Sequence, residues 1–378
     1  MKILITGGAG FIGSNLALGL VKKKHEVVVL DNLSKQIHGD SPEKTSPLYK
    51  SIAGKVEFIL GDVTIKSDWE KVLPGIDVVV HLAAETGTGQ SMYEIERYTK
   101  VNIQGTALLL ECLTNNKSLQ VNKVVVASSR SIYGEGKYLS KEKGIVYPDA
   151  RQAADMDNKD FEVKFPGCTA PLELLATDED SKIHPSSVYG ITKQNQEQMI
   201  MCVCNAIGIN AVAFRYQNVY GPGQSLSNPY TGILSIFSSL IINHKAINIF
   251  EDGKESRDFI YISDVVDATI LGIEKDPANG QIYNVGSGVA TTVVEVAETL
   301  IEKYGHPVAM AISGNYRLGY IRHNYADITK ISSQLGFSPK INFEQGITLF
   351  AKWVQSQSLP QNNYEESISE MRKKVLLK

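Results

Sequence analysis

The strongest constraint on this chain is its opening, Met1-Lys-Ile-Leu-Ile-Thr-Gly-Gly-Ala-Gly-Phe-Ile-Gly13, where an apolar run stops at three spaced glycines. Ile3 to Ile5 suit a buried parallel strand, and Gly7, Gly10 and Gly13 then open a helix. Glycines at this spacing allow a tight turn, close backbone approach to a pyrophosphate and close helix packing, and the helix N-terminus supplies free N–H groups for the phosphates. A second apolar run, Glu26 to Leu30, ends in Asp31, eighteen residues after Gly13. A carboxylate there bonds the adenosine ribose hydroxyls and repels a 2′-phosphate, which favours NAD over NADP.

Further apolar runs at 56–60, 78–82 and 124–127 alternate with helical patterns, including one at 14–23. This order predicts an α/β fold with a doubly wound parallel sheet of the Rossmann type. Asp62-Val63 and Ala83-Ala84 fall where strands end, the edge at which such sheets bind ligands. At 378 residues the chain exceeds a single core, so a second, smaller lobe is expected. Stretches 98–113 and 187–206 read as long helices, 211–216 as a strand and 233–242 as a helix. Segments 257–264, 283–286 and 293–304 suggest a smaller, interleaved α/β lobe. Between Tyr133 and Ser186 periodicity is lost, and a loop this long is functional or mobile.

Formal charge is −3, from 38 basic and 41 acidic residues mixed along the chain, which leaves no electrostatic footprint for nucleic acid or an anionic membrane. No stretch approaches eighteen uninterrupted apolar residues and the first strand starts at Lys2, so a cytoplasmic protein is expected. Cys112, Cys168, Cys202 and Cys204 lack paired ligand spacing; they read as reduced thiols, and no metal is expected.

Tyr189-Gly-Ile-Thr-Lys193 lies near the start of a helix, which puts phenol and ammonium on one face, one turn apart. An adjacent lysine cation and a bound nicotinamide cation both favour the phenolate, turning a poor base into a useful one. The lysine can also bond the nicotinamide ribose. Hydroxyls crowd the segment Ser128-Ser129-Arg130-Ser131-Ile132-Tyr133-Gly134 at another strand end.

From Met1 to about residue 345 the chain resembles the extended short-chain dehydrogenase/reductases, in their NAD-dependent nucleotide-sugar epimerase and dehydratase branch. The matching segments are 6–13, Asp31-Asn32, Asp62-Val63, His81-Leu-Ala-Ala84, 101–105, Ser128-Ser129, the Tyr189/Lys193 pair, 215–222 and Arg257-Asp258-Phe-Ile-Tyr261. The resemblance implies a catalytic set of Ser129, Tyr189 and Lys193, with Ser128 as the alternative hydroxyl. It places Gly7, Gly10, Phe11, Ile12, Gly13, Asp31, Asn32, Asp62, Val63, Leu82, Ala83, Ala84, Asn102 and Tyr216 around NAD, with Tyr189 and Lys193 touching it too. Glu85, Thr86, Ser129, Arg130, Asn218, Arg257 and Arg317 would face a nucleotide-diphosphate sugar. Arginine suits the diphosphate because its planar fork bonds phosphate oxygens bidentately.

In dehydratases of this family Asp-Glu follows the active hydroxyl; here Arg130 and Ser131 stand there, so elimination of water lacks its acid and base. Hydride chemistry remains: a 4-keto sugar that takes hydride back on its other face is a 4-epimerised product, and one that departs makes the enzyme an oxidoreductase. Segment Glu85-Thr-Gly-Thr-Gly-Gln-Ser-Met92 and the long insertion resemble the dTDP-L-rhamnose 4-epimerase-like subgroup, which points to a deoxysugar nucleotide. The implied layout is a NAD-binding domain over 1–218 with a return near 257–275. A sugar-nucleotide lobe takes 219–256 and 276–360, and the tail is 361–378. The 135–185 insertion either closes over the sugar or docks a partner. The two long helices imply a homodimer.

Overall fold

A computed structural model of the chain describes residues 1–226 and 232–357, together with 369, 372–374 and 377. Apart from those last five residues, the tail expected at 361–378 lies outside the described residues.

Seven strands form the central sheet: β1 (Lys2–Thr6), β2 (Glu26–Asp31), β3 (Glu57–Leu60), β4 (Val78–His81), β5 (Lys123–Ser129), β6 (Asn210–Tyr216) and β7 (Gln281–Val285). They pair in the order β7-β6-β5-β4-β1-β2-β3, and every pairing is parallel. The doubly wound Rossmann sheet is therefore present. Strand β7 corrects the expected division of the chain, because 276–360 does not all belong to the smaller lobe. Helix α4 (Ile262–Glu274; α1, α2 and α3 are defined below) packs against α1, and β7 then lies parallel beside β6.

Helices cover both faces. Helix α1 (Phe11–Lys22) packs on α4 closely enough that a Cβ at Gly19 would stand 3.0 Å from Val266 Cγ1. The opposite face holds α2 (Gly105–Asn115) and α3 (Val188–Ile207) over a core that includes Trp69, Leu109 and Ile200. The helix expected at 98–113 is a longer composite: Ile95–Tyr98, a π-helical stretch Thr99–Gln104, then α2. Helix α3 starts sharply because the Ser187 side chain accepts the Gly190 N–H at 3.1 Å. It stops at Gly208, whose φ of 75° closes the last turn. Among the described residues no helix is long and apolar enough to cross a membrane.

The smaller lobe contains the helices Ile233–Ile242, Val293–Tyr304 and Phe343–Gln355. Strand Ser256–Tyr261 joins it to the sheet domain by pairing with Asn218–Tyr220, Ala290–Thr292 and His323–Asn324. The 135–185 insertion has structure of its own, a three-stranded sheet of Tyr138–Ser140, Gly144–Val146 and Glu173–Leu174 and a short helix Ala153–Asp157. Buried charge locks it to the smaller lobe. Arg151 Nη1 meets Glu251 Oε2 at 2.8 Å, and fully buried Arg322 meets Glu251 at 2.9 Å and the insertion's Glu162 at 2.6 Å.

Candidate active site

The sheet changes winding direction between β1 and β4, and the connections that leave their carboxyl ends for opposite faces open a crevice there. A cleft of about 950 Å³ opens at that point and runs between the sheet and the smaller lobe. Every site residue expected from sequence lines it except Asn102. No residue of the 135–185 insertion lines it.

Steric limits explain the glycines. Gly7 has φ +67°, and a Cβ there would stand 2.8 Å from the Ala83 nitrogen at the end of β4. At Gly13 a Cβ would lie 2.3 Å from the Gly7 carbonyl oxygen, whereas at Gly10 it would meet nothing nearer than that oxygen at 3.2 Å. The outer side of Gly10 therefore faces the cleft. Helix α1 starts at Phe11 with no side-chain cap, which leaves its first N–H groups free for an anion. Asp31 accepts the Ala9 N–H at 2.9 Å and the Leu33 N–H at 2.8 Å, so one carboxylate braces the loop and keeps lone pairs for a ribose. Asn32 donates to Asp62 at 3.0 Å beside it. An open glycine cradle under an acidic strand end fits a dinucleotide without a 2′-phosphate.

His38 escaped the sequence reading. It lies in a four-residue helix with no periodic signal, yet its Nε2 stands 3.9 Å from Asp31 and its Nδ1 2.8 Å from Ser46 Oγ. Burial pushes this imidazole towards its neutral form, against the pull of Asp31.

Ser129 ends β5, and Tyr189 and Lys193 occupy the first turns of α3. Ser129 Oγ accepts the Ser131 N–H at 3.1 Å, and the same hydroxyl favours ionisation of the Tyr189 phenol. Burial raises the pKa of that phenol, while Ser129 and the charge of Arg130 lower it. Lys193 is held from within the protein. Its Nζ donates to the Ala127 carbonyl at 2.8 Å and to Gln196 Oε1 at 2.9 Å, and burial brings its pKa down to about 7. Gln196 in turn donates to Thr106 Oγ1 at 3.0 Å, and Thr106 and Thr6 bracket His81 at 3.0 and 2.8 Å. This buried polar ladder fixes the lysine from below, and its members are too far apart in sequence to be read as a unit.

Asn102, expected in the cofactor set, does not line the cleft. It is fully buried, its Oδ1 accepts the Glu85 N–H at 2.8 Å, and its Nδ2 donates to Thr192 Oγ1 at 2.9 Å and to the Glu85 carbonyl at 3.1 Å. The wider π-helical turn turns this amide inward, where it pins the loop after β4 to α3. Tyr216 lines the cleft, but its hydroxyl is paired with Thr269 at 2.7 Å and its ring stacks on Phe214. Glu85 also lines the cleft with its carboxylate held by Arg97 at 2.7 Å, and the Thr86 carbonyl accepts the Tyr98 hydroxyl at 2.6 Å.

The arginines divide into two groups. Arg97, Arg151, Arg215 and Arg322 each hold a carboxylate. The cleft arginines bond neutral groups: Arg130 Nε donates to Asn218 Oδ1 at 2.6 Å, Arg257 to the Ser256 and Arg322 carbonyls at 2.8 Å, and Arg317 to the Tyr320 hydroxyl at 2.9 Å. Among the described residues none of the three has a carboxylate within salt-bridge distance. Partly buried cations without counter-charge are costly, so a cleft holding three of them suits an anion. Tyr320, unmarked in the sequence, lines the cleft between Arg317 and Thr88.

Comparison with known proteins agrees with this geometry. The NAD dependent epimerase/dehydratase family matches residues 3–152 and 166–286. The chain is 36% identical to a dTDP-L-rhamnose 4-epimerase of Burkholderia thailandensis, over 96% of this chain and 97% of that one. It is similar to the UDP-glucuronic acid 4-epimerase of Bacillus cereus, solved with UDP-glucuronic acid and NAD, with a TM-score of 0.74 and 26% identity over 94% of this chain and 99% of that one. The UDP-glucose 4-epimerase of Thermus thermophilus, solved with NAD, gives a TM-score of 0.73 and 26% identity over 95% and 100% of the two chains. The glycine cradle, the Ser-Tyr-Lys set and the matched length lead to one conclusion: the chain belongs to the NAD-dependent epimerase/dehydratase family, as an NAD-using nucleotide-sugar epimerase of the extended short-chain dehydrogenase/reductase type.

Proposed function

We propose that the protein inverts C4 of a nucleotide-linked deoxyhexose, with dTDP-L-rhamnose as the first substrate to test. The observation that carries the reading is the single cleft in which Ser129, Tyr189 and Lys193 lie between a dinucleotide cradle and carboxylate-free Arg257 and Arg317. Cradle and cations bring a sugar nucleotide and the cofactor to one carbon. The 36% identity to the Burkholderia thailandensis enzyme supports the deoxysugar.

NAD, held by Gly7 to Gly13, Asp31 and Lys193, supplies a reversible hydride acceptor. Tyr189 takes the C4 hydroxyl proton while Ser129 bonds the oxygen as it becomes a carbonyl. Once the keto sugar presents its other face, the same two residues return the proton to the new alcohol. Arg257 and Arg317 hold the diphosphate throughout, so the hexose turns while its anchor stays. Arg130 and Ser131, in place of an acid and base for elimination, support epimerisation over loss of water. Half-exposed Ile95 and Ile191, on the helices of one face, support a homodimer.

The test is a panel of dTDP-, UDP-, GDP- and CDP-sugars deuterated at C4. Interconversion of C4 epimers with no net NADH formation supports the reading. Stoichiometric NADH release with a keto product would replace it with an oxidoreductase.

A further inference from the structure

We propose that His38 is a cofactor-binding residue: its Nε2–H and the Asp31 carboxylate hold one hydroxyl of the adenosine ribose between them. The inference rests on the reading of Asp31 as the ribose carboxylate and gives that site a second, uncharged member.

His38 and Asp31 are buried side chains that line the cleft beside the glycine cradle. The ring is held from behind. Ser46 is buried, its Oγ accepts the Tyr49 N–H at 3.2 Å, and among the described residues its own proton has one acceptor in reach, His38 Nδ1 at 2.8 Å. A buried hydroxyl donates where it can, so Nδ1 supplies the lone pair and the proton of the neutral ring sits on Nε2. Burial favours that neutral ring. Thr45 Oγ1 donates to the His38 carbonyl at 3.1 Å and fixes the backbone that carries it.

Nε2 stands 3.9 Å from Asp31 Oδ1, too far for a direct hydrogen bond. Asp31 Oδ1 accepts the Leu33 N–H and Oδ2 the Ala9 N–H, which leaves each oxygen a lone pair to spare. A donor and an acceptor set this far apart match a single oxygen that can serve both. An alcohol does so: it donates its proton to the carboxylate and accepts the proton of the imidazole. The cradle brings the adenosine ribose to Asp31, and its hydroxyls are the alcohols that arrive there.

The test is calorimetric titration of cofactor-stripped protein with NAD and with its 2′-deoxyadenosine and 3′-deoxyadenosine analogues. In the wild type, loss of the shared hydroxyl should weaken binding about tenfold or more. His38→Leu should weaken NAD about three- to tenfold, the worth of one neutral hydrogen bond. It should change the affinity for the analogue lacking that hydroxyl less than about twofold, so the deoxy penalty shrinks. His38→Gln, which keeps a donor, should restore part of it. Ser46→Ala, which lets the proton move to Nδ1, should shrink the penalty in the same direction and makes the measurement if the leucine variant does not fold. NAD and both analogues weakened by one common factor would make the ring a brace for its loop and overturn the proposal. An intact deoxy penalty in His38→Leu overturns it alone, whereas a wild type that binds all three alike overturns the reading of Asp31 with it. No sugar enters the titration, so failure to find 4-epimerisation leaves this result standing on its own.

Discussion

Replacing Gly10 and Gly13 separately by alanine should divide cofactor binding from folding, because the two positions differ in what a methyl group meets. Gly10 has φ −71° and ψ 178°, a conformation alanine adopts freely. Its Cβ would lie 3.2 Å from the Gly7 oxygen and otherwise face the cleft. That mild crowding is opposed by a gain of about 0.4–1 kcal/mol from stiffening the unfolded chain, so the cofactor-free protein should melt within a few degrees of wild type. The methyl would stand where a pyrophosphate approaches. Loss of one charge-assisted backbone hydrogen bond, about 1.5–3 kcal/mol, weakens NAD roughly ten- to hundredfold. Gly13 is different. A Cβ 2.3 Å from the Gly7 oxygen and 2.7 Å from Gly8 Cα cannot be relieved without moving backbone. Overpacking of this kind costs about 1–3 kcal/mol, and it should lower both melting temperature and NAD affinity. Calorimetric titration of NAD into stripped protein, with a melt of each cofactor-free variant, decides the matter. Undiminished NAD affinity in Gly10→Ala would refute the assignment of the cradle.

Tyr189→Phe should lower kcat by about 10²–10⁴ while leaving NAD affinity and melting temperature near wild type, checked by turnover beside calorimetry. Lys193 has its pKa depressed from 10.5 to about 7, so between those values the unfolded chain binds the extra proton and stability rises with pH. Lys193→Met should therefore gain most over wild type below about pH 7, and the gap in melting temperature should narrow as pH climbs towards 10. Arg151→Met strands the buried carboxylate of Glu135 and leaves Glu251 with Arg322 alone, and should cost about 3–5 kcal/mol in chemical denaturation; a loss under about 1 kcal/mol would contradict the docking of the insertion. Light scattering should give twice the chain mass for wild type, and Ile95→Lys with Ile191→Lys should halve it if the proposed dimer face is right.

The parts legible in the sequence were those whose members lie within one or two turns of each other. Gly7 to Gly13 and Tyr189 to Lys193 are local spacings, and backbone periodicity alone puts each group on one face. Strand ends were legible too, because an apolar run that stops must stop at an edge of the sheet. His38 was not: nothing in a four-residue helix announces a ring 3.9 Å from Asp31. The Thr6-His81-Thr106-Gln196 ladder draws on β1, β4, α2 and α3 and exists only once they are packed. Asn102 was named by resemblance alone, and its burial against Glu85 and Thr192 depends on a π-helical stretch that no local spacing announces. Gln281–Val285 was misplaced because a mixed five-residue strand fits either lobe until its neighbour is known.

Sequence alone determined the chemistry available to this protein: a dinucleotide cradle closed to a 2′-phosphate and a phenol beside an amine. Those follow from residue identity and short-range geometry, which the covalent chain already contains. Tertiary structure decided which charges are free to act. Seven arginines within the described core look alike in the sequence, and folding neutralises Arg97, Arg151, Arg215 and Arg322 while leaving Arg130, Arg257 and Arg317 bonded only to neutral groups in the cleft. The physical reason is that charge is spent on the nearest counter-charge, and nearness between distant segments is set by packing.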